Sequence, residues 1–254
     1  MTIADFAAQL ASARSGARLV TQTADASIKS VDDAYRVQSE LIRLSNEDVR
    51  GWKVTALAPS DQKKYSSDRP VAGPLLGPFV RTEPAEVSIS SLIAPLLECE
   101  VAFVLSADLS AQASPYDRAQ IEAAIDAVVP VFELADLRVA ASNPDLMKLA
   151  DAMGNGLFIV GRRINEWRKL DLTNIPITLH RNGVAIDQGS SARILGDPLL
   201  AVIALANAQP LPSPGLKAGQ IITTGTCTTP IGISAGRYNA QFGPLGDVEI
   251  TVVA

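Results

Sequence analysis

Two apolar stretches of the sequence carry glutamate where the neighbouring residues are suited to a core. LLECEVAFVL (96–105) contains Glu98 and Glu100, and VPVFELADL (129–137) contains Glu133. Burying a carboxylate without a partner costs on the order of several kcal/mol. Side chains alternate across a strand, so Glu98 and Glu100 point to one face. A cation, a basic side chain or a proton must therefore compensate these acids.

The chemistry of this set favours a hard divalent ion. Three carboxylates with no histidine among them, and with Cys99 directed at the opposite strand face, are typical ligands of Mg²⁺ or Mn²⁺ and not of zinc. Two interpretations without a metal stay open: each glutamate faces solvent from a half-exposed strand, or it pairs with Arg138 or a lysine. Spacing alone does not decide between them, because Glu-x-Glu is a common chance pattern.

The single histidine and the second cysteine are assigned no catalytic role. His180 has the pKa range of a general base, but it precedes a predicted Asn182-Gly183 hairpin turn, where a solvent-facing or edge-strand side chain is the simpler interpretation. Cys227 has no histidine and no positive flank nearby, which predicts an inert thiol. Two distant cysteines without metal-type spacing are typical of free thiols in a reducing cytosol.

The elements that must position these residues change from helices to strands along the chain. Residues 1–50 predict helices, one between Thr2 and Gly16 and another opened by Ser30. Further helices are predicted over 114–129, with Ser114 as N-cap, and over 196–208, capped by Asp197. The predicted strands and hairpin cover 51–56, 98–105, 129–137, 157–164, 177–186, 220–227, 237–243 and 247–253.

This order predicts an α+β fold. A helical N-terminal region (1–50) precedes a β-rich catalytic domain (51–254), and the two form one continuous globular unit. The chain has 254 residues, is 47% apolar and carries a net charge of −5, without a basic block. This composition argues against nucleic acid or an anionic membrane surface as partner. The first residues predict an amphipathic helix and not a signal peptide, and the expected location is cytoplasmic.

Several short motifs, in their order and separations, resemble the 2-keto-4-pentenoate hydratase / 4-oxalocrotonate decarboxylase branch of the fumarylacetoacetate hydrolase superfamily. The resemblance runs from Gly51 to the C-terminus. The motifs are GWKV, LLECEVAFVL, VVPVFELADLR, GLFIVG, NGVAIDQGSSARILGDPLLAVIALAN, LKAGQIITTGTCTTP and FGPLGDVEITV. The resemblance implies that the β-rich part is a mixed β-sheet roll of the superfamily's C-terminal type.

The same resemblance implies roles for individual residues. Glu98, Glu100 and Glu133 correspond to the ligands of a divalent ion, Mg²⁺ or Mn²⁺. Lys53 corresponds to the active-site lysine. Asp68 falls where the family has an acidic residue before Gly-x-Leu, which implies a catalytic role, whereas loop chemistry alone predicts a turn residue. The loop at Gly225 and Thr226 is expected to present backbone N–H groups to a substrate carboxylate.

The implied activity is addition of water to a 2-hydroxy-dienoic (2-oxo-4-enoic) acid to give a 4-hydroxy-2-oxo acid, as in meta-cleavage aromatic catabolism. Lys53, with Asp68, would move protons, and proximity to the metal should lower the pKa of this lysine. The alternatives are decarboxylation of a vinylogous 2-oxo acid, hydrolysis of an acylpyruvate, and non-catalytic binding of a 2-oxo acid. The resemblance also implies a homo-oligomer and allows a partner enzyme of the same pathway.

The sequence departs from the family pattern near the expected pocket. The family's Ala-Asp-Asn-Ala-Ser is replaced by Ala150–Gly154, with Ala152, Met153 and Gly154 in place of the amide and hydroxyl groups. The family's Asp-Ser-Arg is replaced by Asp136-Leu137-Arg138, and the family's Gly-Leu-Thr-Ser after the lysine is replaced by Thr55–Ala58. These changes spare the three glutamates but alter the polar lining of the pocket. The sequence therefore does not identify the side chain of the substrate.

Overall fold

A computed structural model describes residues 1–20, 27–140 and 144–254 of the chain. The helices are α1 (Ile3–Gly16), α2 (Val31–Ser45), α3 (Pro59–Gln62), α4 (Arg118–Ala123), α5 (Asp145–Ala150) and α6 (Leu199–Asn207). The strands are β1 (Val49–Thr55), β2 (Val71–Leu76), β3 (Val80–Thr82), β4 (Ala85–Ser88), β5 (Leu96–Leu105), β6 (Ile125–Ala135), β7 (Asn155–Val160), β8 (Pro176–Arg181), β9 (Val184–Ser190), β10 (Ile221–Thr226), β11 (Ile231–Gly232), β12 (Gly236–Gln241) and β13 (Asp247–Val253).

The larger sheet is mixed and strongly curved. Its strand order is β2-β1-β10-β5-β6-β7-β3, with β11 paired to β5 outside this path. β2 contacts β7 although four strands separate them in this order, so the sheet rolls up on one face. Inside the roll, Leu75 of β2 packs in one apolar cluster with Val104 of β5, Val129 of β6 and Phe158 of β7.

The second sheet covers the outer face of the roll. Its order is β4-β13-β12-β8-β9. Alternate residues of β5 and β6, among them Phe103 and Phe132, join one large core with Tyr238 and Ile250 of this sheet and Leu205 of α6. Strand alternation therefore gives β5 and β6 one face for the core and one face for the interior of the roll.

The two N-terminal helices pack on the rest of the fold through their own apolar cluster. Thr2 caps α1 and Ser30 caps α2, as their sequences predict. Phe6 of α1 and Leu41 of α2 are buried with Val71 of β2 and Met147 of α5. The part of the predicted helical region at 21–26 lies outside the described residues.

The mixed-sheet α+β prediction is confirmed, but one predicted helix is wrong. The helix expected over 114–129 covers only Arg118–Ala123, with Asp117 and not Ser114 as N-cap. The chain enters β6 at Ile125, because its β-branched residues pair with β5 along the whole strand and this pairing overrides the helical pattern.

Smaller boundary differences occur elsewhere. The strand predicted over 157–164 spans Asn155–Val160, and the helix predicted from 196 begins at Leu199, whose N–H bonds the Asp197 carboxylate at 3.0 Å. The predicted hairpin turn is present, with φ of 50° at Asn182 and 81° at Gly183. Within the described residues, no helix has the length and apolar character needed to cross a membrane.

Candidate metal and active site

The antiparallel pairing of β5 with β6 brings the three glutamates together. Glu98 lies directly opposite Glu133, and Glu100 follows two residues along the same face. Each of the three offers one carboxylate oxygen to a group in which these atoms all lie within 4.8 Å of one another. Opposed positions on antiparallel strands have Cβ atoms about 5 Å apart, so this convergence follows from the register.

Curvature of the sheet adds Lys53 to this group. Lys53 lies on β1, three strands from β6 in the sheet order. A flat sheet would separate the two strands by roughly 14 Å. In the roll, Lys53 Nζ lies 2.7 Å from Glu133 Oε1 and 3.7 Å from Glu98 Oε2. The lysine and the glutamates therefore meet across the interior of the roll.

Several buried polar atoms in this patch lack a hydrogen-bond partner among the described residues. They are Oε1 of Glu100, Oε2 of Glu133, Oδ1 of Asn155 and Oγ1 of Thr223. Asn155 Nδ2 lies 3.5 Å from Glu133 Oε1. Thr223 lies opposite Ala102 on β5, one residue beyond Ile222, which pairs with Trp52 of β1. Native proteins pair nearly all buried polar groups, so unpartnered atoms gathered in one place indicate a ligand site.

The protein groups alone do not stabilise the charged forms of the two buried acids, Glu100 and Glu133. Burial raises the pKa of Glu100 to about 8, and repulsion from Glu133 and Glu98 adds to this effect. Burial likewise raises the pKa of Glu133, although Lys53 opposes it. For Lys53, burial lowers the pKa, but Glu133, Glu98 and Glu100 together reverse the direction and raise it. The protein groups alone thus hold the lysine charged, and the lowered pKa expected beside a bound metal stays a prediction.

These residues fit a divalent cation. When all are ionised, the three carboxylates and one ammonium leave two negative charges uncompensated in a buried site. Glu100 and Glu133 each keep an unpartnered oxygen there, and oxygen donors of this kind suit Mg²⁺ or Mn²⁺. The basic-partner interpretation is also realised, since Lys53 pairs with Glu133. Arg138 does not take part: its Nε lies 2.9 Å from Asp151 Oδ1.

The loop at Gly225 contacts Glu100. The Gly225 N–H donates to Glu100 Oε2 at 3.1 Å, at a break in the β10–β5 register where Gly225 has φ of 103°. This N–H therefore orients a carboxylate of the chain. The Thr226 hydroxyl donates to the Thr228 carbonyl at 3.1 Å. The substrate-binding role predicted for Gly225 and Thr226 stays a prediction.

Asp68 lies apart from this group. It is exposed, in the segment between Tyr65 and β2. Within the described part of the chain, no hydrogen bond or ion pair joins it to Lys53 or to the glutamates. Its predicted catalytic role therefore has no geometric support and stays a prediction.

Three residues near the cluster did not emerge from the sequence analysis. Asn155 begins an apolar strand and Thr223 follows two isoleucines, so each is a polar residue in a buried run, the same signal that identified the glutamates. Tyr65 has no such signal. Burial raises its pKa to about 12, the charge of Lys53 opposes this shift, and its Oη lies 3.7 Å from Met153 Sδ.

The cysteines and the histidine lie elsewhere. Cys99 and Cys227 are free and buried in the large core between the two sheets, where burial raises the pKa of each thiol to about 12. Both are therefore held as thiols. His180 is half-buried on β8, which lies between β9 and β12 and is not an edge strand.

Comparison with known proteins agrees with this geometry. The 2-keto-4-pentenoate hydratase of Burkholderia vietnamiensis is 30% identical over 256 residues, which cover 98% of this chain and 97% of the relative. A solved structure of 4-oxalocrotonate decarboxylase from Pseudomonas putida G7, complexed with magnesium and adipate, superposes with a TM-score of 0.88 at 25% identity. That match covers 99% of this chain and 97% of the other. No protein-family model matches the chain.

A more distant solved structure shares the fold of this chain. A fumarylacetoacetate hydrolase family protein from Yersinia pestis has a TM-score of 0.58 over 82% of this chain at 16% identity, which shows the fold alone. The roll thus has the fold of the fumarylacetoacetate hydrolase superfamily. By its sequence, the chain belongs to the 2-keto-4-pentenoate hydratase / 4-oxalocrotonate decarboxylase family, whose named members are lyases.

Proposed function

We propose that this chain is a metal-dependent hydro-lyase. It adds water to a 2-hydroxy-dienoic (2-oxo-4-enoic) acid and releases a 4-hydroxy-2-oxo acid. The observation that carries the proposal is the group of three converging carboxylates beside a buried lysine, with unpartnered oxygens on two of them. A relative similar over nearly its whole length is a 2-keto-4-pentenoate hydratase.

Glu98, Glu100 and Glu133 would hold the divalent ion, Mg²⁺ or Mn²⁺. Bound there, the ion supplies Lewis-acid stabilisation of negative charge on the 2-oxo oxygen of the substrate. Burial strengthens this effect, because Glu100 and Glu133 are fully shielded from water.

Lys53 is the group proposed to hold and move a proton. Its Nζ lies in the same enclosed space, 2.7 Å from the Glu133 carboxylate, and would exchange a proton with a substrate carbon or oxygen held beside it. The assisting role predicted for Asp68 stays a prediction, since Asp68 is exposed and no hydrogen bond or ion pair joins it to Lys53 in the described residues.

Decarboxylation of a vinylogous 2-oxo acid is the second candidate. It is favoured by the close superposition with 4-oxalocrotonate decarboxylase, and it uses the same charge stabilisation without water addition. The two reactions differ in products, since decarboxylation releases carbon dioxide and hydration keeps every carbon.

The test is turnover of 2-hydroxypentadienoate and of 4-oxalocrotonate by the purified protein with and without Mg²⁺, followed by ultraviolet absorbance. Hydration predicts Mg²⁺-dependent loss of the diene absorbance and a 4-hydroxy-2-oxo product. Release of carbon dioxide from oxalocrotonate alone would establish the second candidate. Full turnover by Glu98→Gln protein after chelator treatment would contradict both.

The assembly state, the domain organisation and the substrate class are proposed from the family. We propose that the protein assembles as a homo-oligomer, that residues 1–50 and 51–254 form one continuous unit, and that the substrate is a small 2-oxo acid. Size-exclusion chromatography with light scattering tests the first of these.

A further inference from the structure

A small cavity lies apart from the acidic cluster, between the C-terminal turn of α1, the start of β3 and the end of β6. Its volume is about 160 Å³. Its polar lining consists of three arginines, one acid and two serines, which are Arg14, Arg81, Arg138, Asp136, Ser15 and Ser91, and the ring of Phe79 also lines it. None of Lys53, Glu98, Glu100 and Glu133 lines this cavity.

Arg14 is the buried residue whose hydrogen bonding is incomplete. Its side chain is 4% exposed. Nη1 donates to the Asn155 carbonyl at 2.8 Å, and the guanidinium lies 5.0 Å from the centre of the Phe79 ring. Nε and Nη2 have no hydrogen-bond partner among the residues that the structure describes. These two atoms form one edge of the guanidinium and present parallel N–H donors, the arrangement that binds a carboxylate through two bonds.

The nearby acids do not neutralise Arg14. Asp151 lies 4.0 Å from Arg14 Nη2, but its carboxylate already accepts the Nε and the backbone N–H of Arg138 at 2.9 and 2.7 Å. Asp136 accepts the N–H groups of Ile93 and Ala94. The two buried arginines, Arg14 and Arg138, thus face two buried aspartates, and the exposed Arg81 adds a positive charge that neither aspartate offsets.

Burial is costly for the two donors of Arg14 that lack a partner. It lowers the pKa of Arg14 to about 9, and repulsion from Arg138 adds to the effect, while Asp151 and Asp136 oppose it. A buried donor without a partner costs free energy of folding. A carboxylate would satisfy both donors through two charge-assisted hydrogen bonds.

We propose that this cavity binds a small carboxylate, held by the Nε–Nη2 edge of Arg14, with Arg138 and Arg81 as further positive charge. The single positive charge that the two aspartates do not match, on exposed Arg81, favours a monoanion over a dianion such as phosphate. The two parallel donors of Arg14 favour a planar carboxylate over a halide. The site adjoins the acidic cluster through Asn155, whose carbonyl accepts from Arg14 and Arg138 while its amide nitrogen lies 3.5 Å from Glu133.

The test is fluorine NMR of trifluoroacetate titrated into the full-length protein freed of divalent ions. The wild-type protein is expected to give a saturable shift. Arg14→Lys keeps the charge but loses the two-donor edge, so its affinity should fall about ten-fold. Arg43→Lys, an exposed residue of α2 paired with Glu40, is the matched control and should bind like the wild type.

Arg81→Gln serves if Arg14→Lys does not fold, because Arg81 is exposed and its loss should weaken binding without unfolding the protein. Competition with phosphate and chloride identifies the anion: carboxylates should displace trifluoroacetate more strongly than either. No saturable shift in the wild type would overturn the proposal, as would equal displacement by chloride or binding that requires Mg²⁺. The last result would place the carboxylate at the acidic cluster instead.

Discussion

Glu100 is the acid of the cluster without a direct basic partner among the described residues. Lys53 lies within 4 Å of Glu133 and of Glu98, whereas Glu100 has one hydrogen bond, from the Gly225 N–H. Removing the charge of Glu100 should therefore affect a bound cation more than it affects folding. This difference separates a metal ligand from a structural acid.

We predict that Glu100→Gln loses metal binding without losing stability. The amide oxygen can still accept from Gly225, and a buried repulsive charge disappears. Turnover should fall by about 100-fold or more, and the rise in melting temperature on adding Mn²⁺ should vanish while the melting temperature without metal does not drop. Glu166→Gln, an exposed position paired with Lys169, is the control and should behave like the wild type. An unchanged response to Mn²⁺ would remove Glu100 from the ligand set.

Lys53→Met should lower the stability of the metal-free protein, which Glu100→Gln should not. It removes the partner 2.7 Å from Glu133 and leaves a buried carboxylate uncompensated. Breaking such a buried pair costs about 3 to 5 kcal/mol, which denaturant unfolding without metal would measure. We also expect turnover to be lost. If the unfolding free energy of Lys53→Met is less than about 1 kcal/mol lower than that of the wild type, the ion pair is not formed.

At the scale of elements, the sequence predicted the strands that carry the acids but not their curvature. The alternation in β5 and β6 places Glu98, Glu100 and Glu133 on one face from local pattern alone. Lys53 reaches that face because the sheet rolls, and rolling depends on packing between distant strands. The predicted helix at 114–129 failed for a related reason, since pairing with β5 decided the conformation of 125–129.

The lining of the interior depended on contacts that local pattern does not encode. Asn155 reaches Glu133 across a strand pair, and Tyr65 approaches Lys53 from a separate short turn. The sequence placed Asp68 near the site by motif, whereas the structure leaves it exposed. Motif order thus predicted the family and the acids more reliably than it predicted the residues around them.

The turn at 152–154 is pressed against β2 beside Lys53. Ala152, Met153 and Gly154 all have positive φ, of 52°, 56° and 67°. Gly73, which pairs with Lys53, allows this approach, because a Cβ there would lie 2.4 Å from the backbone of Ala152. The turn that differs from the family pattern is therefore fixed next to Lys53, the proposed active-site lysine.

Gly73→Ala should displace this turn. We predict a loss of about 1 to 3 kcal/mol in unfolding free energy and a lower turnover number, because the lining of the site moves. Gly232→Ala is the control, since a Cβ at Gly232 meets nothing within 4 Å. Its unfolding free energy should stay within about 0.5 kcal/mol of the wild type. Equal stability of the two variants would show that the turn is not in close contact with β2.

At the scale of the whole molecule, the N-terminal helices share a core with the roll. Phe6 is fully buried in a cluster that also contains Val71 of β2 and Met147 of α5. A shared core predicts that the chain unfolds as one unit. We predict that Phe6→Ala lowers the unfolding free energy by about 3 to 5 kcal/mol and shifts a single transition.

Leu44→Ala, at a half-exposed position of α2, is the control for this prediction and should cost less than about 1 kcal/mol. Scanning calorimetry distinguishes the cases. Two separate transitions, of which only one moves in Phe6→Ala, would show that the helical region and the β-rich domain are independent units.

The most direct test of the whole account is a crystal of the protein grown with Mn²⁺ and measured for anomalous scattering. The arrangement of Glu98, Glu100 and Glu133 predicts a single strong peak enclosed by their three carboxylates. A peak at another position, or none while the three carboxylates keep the arrangement described above, would contradict it.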